Sequence, residues 1–165
     1  MMKLFRRKLN LKVRYIDKGI EEMVKIEKGD LIDLRASSIK VNGEDKELKE
    51  NGVVKYKAGD VVFVGLGFAM EMPKGYKANV YPRSSTFKNY GLILTNSVGQ
   101  IDNTYCGNDD EWKVMLYALK DGEIAYNDRI VQMEVMKAMP SRVNILTVDN
   151  LGGSNRGGYG STGKR

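Results

Sequence analysis

Residues 129–137 read "RIVQMEVMK", and this stretch indicates the fold more clearly than any other. Its side chains divide into two alternating sets: Val131, Met133 and Val135 in one, and Gln132, Glu134 and Met136 in the other. Successive side chains of a β-strand point to opposite faces of the sheet. Residues 129–137 are therefore predicted to form a β-strand with one apolar face.

The same period of two recurs elsewhere in the chain. The strand-like stretches are "VVFVGLGFAM" (61–70), "YKANVY" (76–81) and "KVMLYALK" (113–120). Between the strands lie segments built on Gly, Asn, Asp and Pro, which are typical of turns: "VNGED", "ENG", "KAGD", "PKGY" and "KDGE". Helical periodicity is hard to find. Many short strands separated by turns predict an all-β, jelly-roll-like fold.

The composition shifts once, after Leu151. A chain of 165 residues suits one domain with a real core, and we expect that domain to span residues 1–151. Residues 152–165 read "GGSNRGGYGSTGKR" and contain one large side chain, that of Tyr159. Holding so many glycines still is costly in conformational entropy. This segment is a disordered tail, an RNA-binding arm, or a flexible flap that orders around a phosphate ligand.

The net charge and the residue types present limit the partners, acid–base groups and metals that the protein can use. The formal net charge is +6, which fits an ordinary basic surface as well as a polyanionic partner, either nucleic acid or a phosphorylated small molecule, and charge alone favours neither. The chain has no histidine, so histidine bases and histidine-ligated zinc are excluded within it. Acid–base chemistry then falls to carboxylates, Tyr or Lys. Any metal is expected to be a hard, oxygen-bound ion such as Mg²⁺.

The sequence also predicts the compartment. No apolar run is long enough to span a bilayer, so no membrane partner is expected. The basic stretch at the start lacks the apolar segment and cleavage site of a signal peptide. The single cysteine, Cys106, cannot form a disulfide within the chain. These features predict a cytoplasmic protein.

Polar residues suited to chemistry concentrate in "VYPRSSTFKNYGLILTNSVGQIDNTYCGNDDEW", residues 80–112. A turn containing Arg83, Ser84 and Ser85 suits a phosphate, because a guanidinium forks onto phosphate oxygens and backbone N–H groups add donors. Asp102, in the otherwise apolar "GQIDNTY" segment, is a candidate general base. The plainer interpretation is a pair of strands with a turn-capping aspartate.

Five segments, in order, resemble the motifs of the trimeric deoxyuridine triphosphatases (dUTPases). They are "DLIDLRAS" (30–37), "PRSS" (82–85), "NSVGQIDNTYCG" (96–107), "DRIVQMEV" (128–135) and "RGGYGSTG" (156–163). The closest resemblance is to the Gram-positive and phage branch, which also has a long loop before a Trp after the third motif. The resemblance implies a jelly-roll-like homotrimer that hydrolyses dUTP to dUMP and pyrophosphate. That activity keeps uracil out of DNA and supplies dUMP for thymidylate synthesis.

The resemblance also implies catalytic roles. Asp102 would orient and deprotonate a water molecule for attack on the α-phosphorus. Mg²⁺ would be held mainly by the substrate phosphates and by water, and Asp33 would contact that metal through water. Leu31 stands where the family usually has a glycine.

The other implied residues bind dUTP. Phosphate would be bound by Arg83, Ser84, Ser85 and Gln132, with Ser84 donating to the oxygen between the α- and β-phosphates. Uracil would be read by Asn96 and by the backbone of Gln100, Ile101 and Asp102. Tyr105 would pack under the deoxyribose and exclude a 2′-hydroxyl, and Asp110 is a candidate at the base edge. In the flap, Tyr159 would stack on uracil while Arg156, Ser161 and Thr162 meet the phosphates.

Two other functions stay open. A deoxycytidine triphosphate deaminase, possibly bifunctional, shares the fold and a similar "RSS" turn. Its catalytic glutamate in the strand after the third motif has no counterpart in "KVMLYALK". The second alternative is a binding protein: an RNA-binding module, or a phage-type regulator of the dUTPase fold with a protein partner. A single RGG without an aromatic array argues against RNA, so no nucleic-acid partner is expected.

Overall fold

The structure is a computed structural model and describes residues 8–155. This part of the chain forms thirteen β-strands and two short helices. The strands are β1 (Lys12–Tyr15), β2 (Ile32–Arg35), β3 (Ser38–Val41), β4 (Glu44–Lys46), β5 (Val53–Tyr56), β6 (Val61–Gly65), β7 (Phe68–Glu71), β8 (Tyr76–Pro82), β9 (Leu92–Leu94), β10 (Gly99–Asp102), β11 (Lys113–Ala118), β12 (Gly122–Ala125) and β13 (Arg129–Lys137). The helices are α1 (Leu48–Asn51) and α2 (Thr86–Tyr90).

Two antiparallel sheets enclose the core. The five-stranded sheet has the order β4-β3-β6-β11-β9, and the four-stranded sheet has the order β10-β8-β13-β2. Two-stranded sheets, β1-β7 and β12-β5, are the remaining sheets of the described residues. Buried side chains from both large sheets, such as Val64, Leu116, Val80 and Met133, belong to one hydrophobic cluster. The predicted all-β fold is confirmed.

The stretch 129–137 forms β13, the longest strand of the described chain. Val131 and Met133 are fully buried, whereas Gln132 and Glu134 on the opposite face are partly exposed. The apolar run 61–70 is not one strand. It divides into β6 and β7 because Gly67 adopts a left-handed backbone (φ 73°), where an added Cβ would lie 2.8 Å from the Cβ of Ser37.

Four of the five predicted turn segments contain a glycine with positive φ. Asn42 (φ 50°) and Gly43 (φ 87°) both have positive φ, as a tight turn between antiparallel strands β3 and β4 requires. The two helices were not predicted. They are too short to show a helical repeat in the sequence, and both end at a left-handed glycine, Gly52 for α1 and Gly91 for α2.

Residues 138–155 follow β13 without forming a helix or a strand. Their large apolar side chains are exposed: Met139, Val143, Ile145, Leu146, Val148 and Leu151. Among residues 8–155 the last helix or strand therefore ends at Lys137, and the domain boundary at Leu151 stays a prediction. Among residues 8–155, no helix has the length and apolar character that crossing a membrane requires.

A buried carboxylate joins four separate segments. Oδ1 of Asp17 accepts hydrogen bonds from Lys49 Nζ (2.5 Å) and the Gly19 amide (2.9 Å). Oδ2 accepts from Ser37 Oγ (2.6 Å) and the Tyr126 hydroxyl (2.8 Å). Burial acts to raise the pKa of Asp17, but these four donors outweigh it and lower the pKa to about 2.

We predict that Asp17→Asn lowers the free energy of unfolding by about 2 kcal/mol at pH 7, the worth of the lowered pKa. Because the pKa of Asp17 is about 2 in the folded state and 3.8 for an unperturbed aspartate, as in the unfolded chain, this stabilisation is present above pH about 4 and is lost as the pH falls towards 2. Urea unfolding at fixed protein concentration, repeated from pH 7 to pH 3, measures both effects.

The matched control is Asp45→Asn, since Asp45 is exposed and pairs with Lys40 on the surface. This control should change stability by less than about 0.5 kcal/mol. Equal losses in the two variants would show that the Asp17 network does not stabilise the fold.

Candidate active site

The Arg-Ser-Ser turn begins at the end of β8, and the buried hydroxyl of Thr86 fixes its position. The Arg83 amide donates to Thr86 Oγ1 (2.8 Å), and that hydroxyl donates to the Ile130 carbonyl on β13 (2.9 Å). Thr86 is fully buried. The turn is therefore tied to the centre of the four-stranded sheet, while Ser84 stays exposed at its tip.

Asp33 on β2 orients two arginines. Its Oδ1 accepts from Arg83 Nε (2.7 Å), and its Oδ2 lies 3.4 Å from Arg129 Nη1. Arg83 Nη1 also donates to the Arg129 carbonyl (3.1 Å) and lies 3.4 Å from Ser85 Oγ. Guanidinium groups held in this way are well placed to bind an anion, because little side-chain freedom remains to be lost.

Gln132 belongs to the same group. It lies opposite Asp33 in the β13–β2 register, and its Nε2 donates to the Pro82 carbonyl (3.0 Å). Asp33, Arg129 and Gln132 line a cavity of about 450 Å³. We call this group the arginine half-site; it comprises Asp33, Arg83, Ser84, Ser85, Arg129 and Gln132.

A second cavity, of about 400 Å³, lies at β10. Its lining includes Gln100, Ile101, Asp102 and Tyr105, which we call the aspartate half-site. Asp102 is exposed, and Tyr105 is 42% exposed with its hydroxyl donating to the Glu111 carbonyl (3.1 Å). Asn96 lies in the exposed turn before β10 and does not line this cavity.

The two half-sites lie far apart in one chain. Across the four-stranded sheet, Asp102 pairs with Lys77 on β8, whereas Asp33 pairs with Gln132, which pairs with Tyr81. This register separates Asp33 from Asp102 by about 13 Å along the strands and about 14 Å across them. A base must act within hydrogen-bond reach or through one water molecule. The two carboxylates of one chain therefore cannot act on one phosphate group.

Besides Asn96, five predicted binding residues belong to neither half-site. Asp110 accepts a hydrogen bond from the Gly107 amide through Oδ2 (2.7 Å) and so shapes its own loop; its role at the base edge stays a prediction. The predicted flap residues Arg156, Tyr159, Ser161 and Thr162 lie outside the described residues.

Sequence reasoning missed two residues of the arginine half-site region. Arg129 precedes the apolar repeat of "RIVQMEVMK", and a basic residue at the start of a strand carries no distinctive signal. Thr86 follows the "PRSS" segment as another small hydroxyl residue, and its importance appears only from its burial and its contact with β13.

The polar groups of the arginine half-site fit a metal ion whose ligands come mainly from substrate phosphates and water. Both oxygens of Asp33 face guanidinium groups, so this carboxylate is not set up as a direct ligand. Within residues 8–155 no group of three or more acidic or Cys residues is arranged to hold a metal ion. A hard cation with water and phosphate ligands is compatible with this arrangement, since Mg²⁺ commonly keeps several waters and is bound by substrate phosphates.

The fold and the cavities define an all-β protein with an arginine-rich corner that is suited to an anion. Comparison with known proteins narrows this class. The family model for dUTPases matches residues 45–163. The chain is 45% identical to the SPbeta prophage-derived deoxyuridine 5'-triphosphate nucleotidohydrolase YosS of Bacillus subtilis, covering 95% of this chain and 100% of that protein. It is 36% identical to the deoxyuridine 5'-triphosphate nucleotidohydrolase of Hydrogenobaculum, covering 68% and 78%.

Solved structures show the same fold. A mutant dUTPase of Staphylococcus bacteriophage 80alpha with dUpNHpp superposes with a TM-score of 0.68 at 15% identity, covering 93% of this chain and 98% of that one. The dUTPase of phage phi11 of S. aureus gives a TM-score of 0.65 at 13% identity, covering 87% and 98%. The chain belongs to the dUTPase family.

We predict that Thr86→Val, which preserves side-chain shape, destabilises the protein by about 2 kcal/mol, because the Arg83 amide and the Ile130 carbonyl lose their partner. Urea unfolding measures the loss, and hydrogen exchange should show faster exchange of the Arg83 amide. Thr95→Val is the control, because Thr95 is exposed and its hydroxyl makes one bond, to the Met115 carbonyl. If Thr86→Val and Thr95→Val are equally stable, the turn is not fixed by this hydroxyl.

Proposed function

We propose that the protein hydrolyses dUTP to dUMP and pyrophosphate. The observation that carries this proposal is the pairing of an anion-binding arginine half-site with an exposed carboxylate in a second cavity, on the fold of a dUTPase. The name of the 45% identical prophage relative describes the same activity.

In the proposed reaction Asp102 accepts a proton from a water molecule as the water oxygen bonds to the α-phosphorus. The bond from that phosphorus to the bridging oxygen breaks, and pyrophosphate leaves. Ser84 donates a hydrogen bond to the bridging oxygen as negative charge develops there, and Arg83, Ser85 and Gln132 hold the phosphates. Such fixed donors act most strongly where charge appears in the transition state.

Bound Mg²⁺ would supply charge that offsets the phosphate oxygens. In this proposal Asp33 would hold the metal through water, while its two ion pairs keep Arg83 and Arg129 aimed at the phosphates. This double role is supported by the partial exposure of Asp33, whose side chain is 32% accessible.

The substrate-recognition roles rest on the same proposal. Asn96 and the backbone of Gln100, Ile101 and Asp102 read the edge of uracil, where cytosine presents the wrong donors and acceptors. Tyr105 lies under the deoxyribose. A mispaired buried polar group costs about 1–3 kcal/mol, which is enough for tenfold or greater selectivity per contact.

The proposed site forms between copies of the chain, in a homotrimer. The separation of the half-sites within one chain supports this, because a neighbouring copy can bring its Asp102 to the Arg83 of the first. A repeated head-to-tail contact of this kind closes into a ring of three when each copy is rotated by a third of a turn from the last. Exposed apolar side chains at Val143, Ile145 and Val148 provide surface that such an assembly would bury.

Residues 152–165 complete the proposed site as a flexible flap. Tyr159 stacks on uracil, and Arg156, Ser161 and Thr162 contact the phosphates. The sequence supports this role, because glycines let the backbone approach phosphate closely and Arg156 adds charge.

A panel of nucleotides with Mg²⁺ tests the proposal. Pyrophosphate and ammonia are measured separately for dUTP, dCTP, dTTP and UTP. Pyrophosphate release from dUTP alone is the expected result. Ammonia from dCTP without pyrophosphate from dUTP would identify a deaminase instead.

We predict that Asp102→Asn keeps nucleotide binding and lowers kcat by at least about 100-fold, the usual scale for loss of a positioned base. Binding of a non-hydrolysable dUTP analogue by calorimetry and turnover by pyrophosphate release separate the two effects. The control is Asp45→Asn, on the distant edge strand β4. Turnover within a few-fold of the unaltered protein would exclude Asp102 as the base.

We also predict that truncation after Leu151 leaves the fold and the assembly intact but lowers kcat by at least about tenfold, because the closing flap no longer contributes phosphate contacts. Circular dichroism and sedimentation check the assembly, and pyrophosphate release gives the rate. Full activity of the truncated chain would show that the flap is not a catalytic element.

A further inference from the structure

Arg14 contacts the loop that leads away from the aspartate half-site, although it lies outside all five motifs. It is on β1, which pairs only with β7 in the described chain. Its Nη1 donates to the Asn108 carbonyl (2.7 Å) and lies 3.8 Å from Asp109 Oδ1. The contact joins residues far apart in sequence, so it fixes a loop to a strand that is formed independently of it.

The far end of the loop is already anchored. Glu111 Oε1 accepts from the Gly67 amide (3.0 Å), and Trp112 exchanges backbone hydrogen bonds of 2.9 Å with Leu66 and Phe68. Trp112 itself is 1% exposed. The segment 103–110 has no such burial. Among the hydrogen bonds of residues 8–155, the bond from Arg14 is the one that ties this segment to another part of the molecule.

The loop carries Tyr105, which under the proposed function packs below the deoxyribose and excludes a 2′-hydroxyl. Tyr105 lines the cavity beside Asp102, and its hydroxyl reaches across the loop to the Glu111 carbonyl. Gly107 and Asp110 brace the turn between these points through the Gly107 amide. The position of the Tyr105 ring therefore depends on the shape of the whole segment, and Arg14 holds the middle of that segment.

We propose that Arg14 is a positioning residue that sets the selectivity for deoxyribose over ribose by holding the 103–110 loop and, through it, the Tyr105 ring. This inference rests on the proposed hydrolysis of dUTP. A ring that packs closely under a deoxyribose leaves no room for an added hydroxyl, whereas a ring that shifts by a fraction of an ångström loses that exclusion. Small misplacements of positioning groups have large kinetic effects.

The chemistry of the contact favours arginine over lysine. A guanidinium presents several donors in a fixed plane and reaches a backbone carbonyl with little loss of freedom, whereas an ammonium is a mobile point charge. The loop also carries Asp109, Asp110 and Glu111, and Arg14 offsets part of this negative charge. Arg14→Lys keeps that charge and weakens the directed bond, so it separates the two contributions.

The test compares kcat and KM for dUTP and UTP in Arg14→Ala, Arg14→Lys and Arg14→Gln. For Arg14→Ala we expect KM for dUTP to rise about tenfold with a smaller change in kcat, and the ratio of kcat/KM for UTP to that for dUTP to rise about tenfold. Arg14→Lys should recover part of the selectivity. Arg14→Gln serves if Arg14→Ala fails to fold, since it keeps a side-chain donor of similar bulk without the charge.

Two matched controls accompany these variants. Lys12→Ala removes another exposed cation of β1, which pairs with Glu71 and makes no hydrogen bond or ion pair to the loop in the described chain. Asp109→Ala removes the distant carboxylate, whose side chain is 99% exposed. Both should leave the UTP to dUTP ratio within twofold of the unaltered protein, and melting temperatures should confirm folding throughout.

An unchanged UTP to dUTP ratio in folded Arg14→Ala would overturn the inference. This holds even if kcat/KM falls, because an equal loss for both substrates is the effect of a merely structural residue. The unaltered protein is assayed first. If it does not hydrolyse dUTP, the proposed function is wrong and this inference falls with it. If it does hydrolyse dUTP, only the role of Arg14 is at issue.

Discussion

The register of the four-stranded sheet is the constraint on which the function of this protein depends. β8 pairs with β10 on one side and with β13 on the other, so the backbone hydrogen bonds fix Asp102 beside Lys77 and Gln132 beside Tyr81. A hydrogen-bonded sheet does not stretch or slide by the distance between these points, because a register slip would move every side chain to the wrong face. The arginine half-site and Asp102 of one chain therefore stay apart, and under the proposed function a second chain would supply the missing half.

Contacts within one chain hold each half-site in place. Thr86 ties the phosphate turn to β13, and Asp33 holds Arg83 and Arg129 in fixed directions. The turn at Gly67 joins two further supports. Its carbonyl accepts the amides of Ile16 and Asp17, and its amide donates to Glu111. The Asp17 network and the loop behind Tyr105 are thus connected through one left-handed glycine. Preorganisation of this kind lowers the entropic cost of assembling a site from separate chains.

The sequence predicted the features that depend on interactions between neighbouring residues. Alternation predicted β13, and the Asn-Gly pair predicted the β3–β4 turn, because both depend on neighbouring residues. The motif residues Asp33, Arg83 and Gln132 were predicted as phosphate or metal residues, and the structure brings them together. The distance between the half-sites was not predictable, since it follows from long-range strand pairing. The contacts of Asp17 and Arg14 were also missed, because each joins residues separated by tens of positions and neither belongs to a recognisable pattern.

Mixed assemblies test the central claim, that one active site uses residues of two chains. Arg83→Ala and Asp102→Asn chains, each inactive alone, are unfolded together, refolded and assayed for pyrophosphate release from dUTP. If the half-sites come from different chains, random mixing leaves about a quarter of the sites with both residues intact, and activity should return to about a quarter of that of the unaltered protein. Activity that remains at the level of the separate variants would show that both residues act within one chain, and would contradict the account.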